Sequence, residues 1–343
     1  MSSRRTLIVA ACVVALNASA IGTSAAEAAG ENPRLAWLER FQESRQGPEQ
    51  TETFSGRYTL GSDGSLDLTH IAGDIRVTTG RGNEVRIDAI KRVRPRDAAE
   101  AKRLLSALRM EVTQVGGRIE VRPVYPRDNR GFNGSVDYTI TVPQNAAVAL
   151  KTVSGDVSVN GVRGEVRAES ISGDVEVVAT PNLALAKTVS GDVRARDIAS
   201  TTLTLGTVSG SVIAAGLKVR TLDASSVSGD LQLSNLQVER LTAKTLSGEI
   251  TFEGALVRGG RYEFNAHSGN VRLMLTANTP GFELDASTFN GSVRSDFPVT
   301  LRSTNDAAER RGSSNRAIRG TYGDAGAILA LRSFSGNVVI TKR

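Results

Sequence analysis

The chain has 343 residues, 40% hydrophobic but only 4% aromatic, with 34 glycines, two histidines and one cysteine. That length can bury a sizeable core, and so few Cys and His exclude a disulfide framework and a Cys/His metal cluster. Forty-two basic against 36 acidic residues leave +6, dispersed over positions such as Arg163, Arg167, Arg194 and Arg220, which predicts weak attraction to anionic glycans or lipid head groups and no nucleic-acid surface.

Residues 1–28 read as a signal peptide: Arg4 and Arg5, an apolar run from Leu7 to Leu16, then small residues ending in Ser24-Ala25-Ala26 or Ala26-Glu27-Ala28. The run is too short to span a bilayer, so no transmembrane helix is expected in the mature chain. Ser3-Arg4-Arg5 resembles a twin-arginine start, and Val9-Ala10-Ala11-Cys12 a lipoprotein box. The apolar run continues past Cys12, so ordinary cleavage is expected, leaving no thiol in an exported protein placed in the periplasm or at the cell surface. In residues 29–52, Pro33 to Gln46 sets Leu35, Trp37, Leu38 and Phe41 on a short amphipathic helix, followed by a linker. Such a helix is expected to cap an open end of the fold, with a membrane-surface or partner helix as the alternative.

Residues 53–343 form the repeat domain. Thr59 to Val93 reads as strands, including a degenerate phrase around Gly73-Asp74. A helix is expected over 96–110, where Ala98, Ala101, Leu104, Leu105 and Leu108 recur at helical spacing and Asp97 with Glu100 marks a start. Tyr125 to Gly134 is a turn, and Val136 to Val142 an alternating strand.

A short phrase then returns nine times, as TVSGDV at Thr152 to Val157 and in close variants, with glycines at Gly155, Gly173, Gly191, Gly210, Gly229, Gly248, Gly269, Gly291 and Gly336. The first six are 18 or 19 residues apart, the fixed period of a stacked repeat. The columns seven before the glycine (Val148, Val166, Ala184 onward), five before (Leu150, Ala168, Ala186 onward) and two after (Val157, Val175, Val193 onward) are apolar. We also read the column two before as inward: Val153, Ile171, Val189, Val208, Val227, Leu246, His267, Phe289 and Phe334. Period-two alternation gives two short strands per coil. The expected fold is all-β, a parallel β-solenoid with coils of about 18–22 residues, about 40 Å long for nine coils at the strand spacing, plus the two helices. The handedness of parallel crossovers predicts a right-handed solenoid. The glycine is expected where a Cβ would strike the core or φ is positive. The 45-residue gap before Gly336 is explained by a polar loop over 303–320.

The repeating serines have no accompanying histidine, and no nucleophile motif, metal motif or cofactor fingerprint occurs, so no catalytic, cofactor or metal residue is assigned. Asp156, Asp174 and Asp192 fall on successive coils, where calcium between coils is conceivable. The column drifts to Ser211, Asn270, Ser292 and Asn337, so we expect its side chains to cap their own turns instead.

The IAGDIRV block, the inserted RDAAEAKRLLSALRM, the serial TVSGDV coils, ELDASTFNGSVRSDFPV and the closing LRSFSGNVVITKR together resemble the bacterial putative-adhesin family, whose members carry a β-strand-repeat domain of unknown function. The likeness covers Thr53 to Arg343. It implies a β-solenoid at the cell envelope and brings no catalytic residues. The expected function is an exported, non-enzymatic, adhesin-like binding or scaffolding protein, with an envelope glycan or another envelope protein as partner. The alternative is a polysaccharide lyase or hydrolase of the parallel β-helix type, which needs a local, non-repeating carboxylate group in a cleft. The uniform coils do not favour it.

Overall fold

Alternating apolar residues give each coil two strands with one buried face, which coils bury by stacking. A computed structural model describes residues 49–61, 64–95, 97–125, 134–301 and 316–343; the expected signal peptide and the expected N-terminal amphipathic helix fall outside these. Val157, Val175, Val193 and Val212 pair in parallel register in a 13-stranded sheet. Leu150, Ala168, Ala186 and Leu205 do the same in a facing 14-stranded sheet. The fold is a β-solenoid.

The core consists of the predicted columns five before and two after the glycine, and most of the column seven before it. The exception is Ala184, where the register shifts between Val166 and Arg167 so that Leu183 pairs with Val166 and is buried in its place. A further interior ladder lies outside the predicted columns: Val162, Thr180, Ile198, Leu217 and Leu236, seven residues after the glycine, are all buried.

Each repeat glycine has positive φ, +141° at Gly191, and a Cβ there would lie 2.3 Å from the carbonyl oxygen of Gly173. The collision partner is therefore the glycine of the neighbouring coil and not the core. Between these glycines and the core stand buried hydroxyls: Thr188 Oγ1 donates to Gly173 O at 2.9 Å and Thr207 Oγ1 to Gly191 O at 2.9 Å.

The column two before the glycine points outward, correcting the sequence expectation. Counting by two from the inward positions seven and five before the glycine reaches the Thr/Ser at three before, so the next residue must face solvent. Val153 is 44% exposed and Phe289 66%. His267, expected inside, is also exposed.

The coils do not stack in chain order at either end. Strand Ile75–Gly80 lies between Gly134–Pro143 and Val157–Asn160, so the first phrase is the second coil in space. Likewise Ala327–Ser335 lies between Arg261–Ser268 and Phe282–Asn290, and Val338–Lys342 between Val271–Leu275 and Val293–Ser295. The C-terminal coil is thus inserted under the coil that precedes it in sequence.

Antiparallel strands close both ends. Gln50–Thr59 pairs with Glu84–Val93, which pairs with Gly134–Pro143; Arg109–Val115 pairs with Arg118–Val124. Helix α1, Ala98–Ala107, contacts the first two of these strands, and its N-cap Asp97 accepts from the Glu100 N–H at 2.7 Å. At the other end Ala317–Tyr322 pairs with Phe282–Asn290 and Thr300–Leu301. Residues 317–320 of the expected loop are therefore strand, because their backbone completes an otherwise open edge; residues 303–315 lie outside the described residues.

Candidate functional site

The outward column forms one continuous ladder. In spatial order it runs Ile71, Val153, Ile171, Val189, Val208, Val227, Leu246, His267, Phe334, Phe289. Nine steps at the strand spacing make it about 43 Å long. Its last three rings stack face to face: His267 on Phe334 at 4.9 Å and 7°, and Phe334 on Phe289 at 4.9 Å and 4°. Phe334, and not Phe289, stacks on His267 because the C-terminal coil is inserted between the coils of His267 and Phe289.

A groove of about 590 Å³ follows the ladder from His70 to Val227. One wall is apolar, with Val153, Ile171, Val189, Val208 and Val227; the other carries the column four before the glycine, with Lys151, Glu169, Lys187, Gly206 and Ser225. The floor is the buried Thr/Ser column, Thr152, Ser170, Thr188 and Thr207, of which the last three donate to glycine carbonyls, as Thr188 does to Gly173 O at 2.9 Å. Lys151 pairs with Glu169 at 3.4 Å, whereas Lys187 has no ion-pair partner among the described residues.

His70, at one end of the groove, is buried against Tyr138 with ring centroids 5.0 Å apart, edge to face. Neither ring nitrogen makes a hydrogen bond of normal geometry. Burial lowers its pKa to about 4; the nearby Ala72 and Val136 carbonyls and the Asp137 and Asp74 charges oppose this only in part. The ring is neutral at physiological pH.

On the far side of the turn, the Asp column caps across coils and not within its own turn. Asp156 Oδ1 accepts from the Asp174 N–H, Asp174 Oδ1 from the Asp192 N–H, and Asp192 Oδ1 from the Ser211 N–H, each at 2.8 Å. Asn337 uses its amide oxygen in the same way towards the Ser292 N–H, at 3.0 Å. Arg194 bridges the outer oxygens of Asp174 and Asp192 at 2.5 and 2.6 Å. Burial disfavours the Asp174 charge, but the Asp192 N–H and Arg194 outweigh it and hold the carboxyl below the usual range. Among the described residues no three His, Cys, Asp or Glu side chains converge as a metal site.

A second concavity, about 430 Å³, is lined by Asp230, Glu249 and Glu253 among others. All three carboxylates are engaged: Asp230 accepts from the Glu249 N–H, Glu249 pairs with Arg272 at 2.7 Å, and Glu253 pairs with Arg343. The carboxylates around Asp230 and in the Asp column are thus engaged within the stack, whereas Lys187 in the groove has no ion-pair partner among the described residues.

Two closed parallel sheets with an inserted coil at each end and one outward apolar ladder define a β-solenoid repeat domain. The chain belongs to the family described as Toastrack DUF4097, a domain of unknown function whose model matches residues 65–341. Among solved structures it is similar to a putative adhesin from Bacteroides fragilis (12% identity, TM-score 0.43, covering 84% of this chain and 97% of that one). It is also similar to a putative adhesin from Parabacteroides distasonis (11%, 0.34, 84% and 97%) and to a putative lipid binding protein from the same species (13%, 0.37, 65% and 89%). At these scores the likenesses transfer no function to this chain. No curated protein matches it. Among the described residues no helix is long and apolar enough to cross a membrane.

Proposed function

We propose that this protein is an exported, non-enzymatic binding or scaffolding module of the bacterial cell envelope, and that the ladder from Ile71 to Phe289 is its binding surface. The supporting observation is the ladder itself. Ten outward apolar or aromatic side chains in one line expose on the order of several hundred Å², at or beyond the largest patch of an ordinary monomer. Such a patch is characteristic of an interaction site. The signal-like N-terminus supports export, and the engagement of the carboxylates around Asp230 and in the Asp column offers no free acid/base pair for glycan cleavage.

Cell fractionation with protease shaving of intact cells tests the location: protein recovered with the envelope or periplasm is expected, and cytoplasmic protein overturns export. Substituting Val208→Asp tests the surface. The variant is expected to fold normally and to lose co-fractionation with its envelope partner; unchanged co-fractionation overturns the assignment of the ladder.

A further inference from the structure

The groove beside the ladder has chemistry that narrows its occupant. Its floor hydroxyls donate to backbone carbonyls, Thr188 and Thr207 at 2.9 Å each, so the floor gives a polar ligand such as a glycan no free donor, and the polar groups are confined to one wall. The strands beneath are paired on both sides, so no open edge exists there for an added peptide strand. The apolar wall is one side chain wide, which suits a thin chain better than the flat face of a second protein. Over the six coils from His70 to Val227 the trough is about 24 Å long; an acyl chain anchored at Lys187, on the fourth coil, follows it for about 14 Å towards His70 or about 10 Å towards Val227, where the outward ladder continues at Leu246. Its 590 Å³ falls within the few hundred to about a thousand Å³ usual for small-molecule sites.

One charge faces this trough without a partner. The Lys187 stem lies along the groove wall, its Cγ and Cε 3.6 Å from where a Gly206 Cβ would stand. Gly206, having no side chain, leaves room for that stem and for a ligand beside it. A cation with no ion-pair partner, on the wall opposite Val189 and Val208, is complementary to an anionic head on a hydrocarbon tail.

We infer that the groove between the valine ladder and Lys187 binds one free long-chain fatty acid, with its carboxylate on Lys187 and its chain along Val189, Val208 and neighbouring ladder residues. The inference rests on the ladder being the binding surface.

The test titrates the purified full chain with the fluorescent fatty acid cis-parinarate and, in competition, with palmitate and the uncharged alcohol of the same length. Saturable binding at one per chain is expected. Lys187→Glu is expected to weaken the fatty acids about tenfold or more while leaving the alcohol unchanged, and Val208→Asp to weaken all of them by at least as much. Circular dichroism and melting confirm that both variants fold. Absence of saturable binding, or a Lys187→Glu affinity equal to wild type, overturns the inference. So does a dimer that Val208→Asp dissociates in a chain that binds no fatty acid, because the ladder is then covered by a second copy. If fatty acid fails to bind while Val208→Asp still abolishes envelope co-fractionation, the ligand assignment falls and the binding surface stands. If neither effect is seen, both fall.

Discussion

Thr188 Oγ1 donates a 2.9 Å hydrogen bond to the carbonyl oxygen of Gly173, tying each coil to the one before it through a buried hydroxyl. Ser170, Thr207, Ser226 and Thr245 repeat the bond on their own coils. Thr188→Val keeps the shape but leaves a buried carbonyl with one partner fewer, so it is expected to cost about 1–2 kcal/mol in chemical denaturation. Thr188→Ser keeps the bond and is expected to cost less than about 1 kcal/mol. Equal stability of the valine variant and wild type would show that the hydroxyl column is dispensable.

Gly191 carries both a positive φ and a neighbour in the way. In Gly191→Val the new Cβ meets the Gly173 carbonyl at 2.3 Å, a backbone atom that cannot retreat without parting the coils. We expect the variant to lose several kcal/mol or fail to fold. Gly82→Ala is the control: φ is +89° there too, but nothing lies within 4 Å of the new Cβ, so a loss of about 1–2 kcal/mol is expected. Thermal unfolding of the pair separates strain from collision, and similar losses would mean that the coils are less closely stacked than described.

His70 makes stability depend on pH in the weakly acidic range. Its folded pKa, about 4, lies below its unfolded value near 6.5, so the unfolded state binds the proton first. The stability of the neutral form is complete above about pH 6.5 and declines as pH falls towards 4, by on the order of 2–3 kcal/mol. His70→Phe is expected to flatten this limb in melts recorded from pH 7 to 4. A limb unchanged by the substitution would assign it to other groups.

Asp174 acts at lower pH with a different partner. Its carboxyl is held below the ordinary range, so its contribution is present above about pH 4 and is lost as pH drops through the depressed folded value. Asp174→Asn keeps the oxygen that accepts from the Asp192 N–H, as Asn337 does naturally, and gives up only the half-exposed pair with Arg194. A change of no more than a few degrees in melting temperature at pH 7, with a shallower loss below pH 4, is expected. A large loss at neutral pH would mean that the charge, and not the backbone bond, holds the column.

Removing the C-terminal coil tests the insertion. Truncation after Gly326 deletes Ala327–Ser335 and Val338–Lys342, which separate the coils of Gly269 and Gly291. Because an interior coil is lost, urea unfolding is expected to become less cooperative with a lower m-value, beyond the effect of shortening one end. A transition of near wild-type m-value would contradict the spatial order.

Sequence alone determined the repeat, the two strands per coil, the helix start at Asp97 and the core columns through Leu150, Val157 and their equivalents, because burial on one side of a strand imposes a period of two. It misassigned Val153, Val208 and Phe334, since a column of apolar residues looks like core whichever way it faces, and the intervening Thr/Ser column gives no hint of a buried hydroxyl. Counting by two from Leu150 turns that column outward, and the tertiary structure shows why the count fails when run backwards from Val157: the chain bends at a glycine pressed against its neighbour's carbonyl, which resets the phase. Only tertiary structure could set Phe334 between His267 and Phe289, because strand pairing depends on which edge is open when a segment docks, and chain order does not record that. The apolar ladder and its lysine-walled groove follow from both.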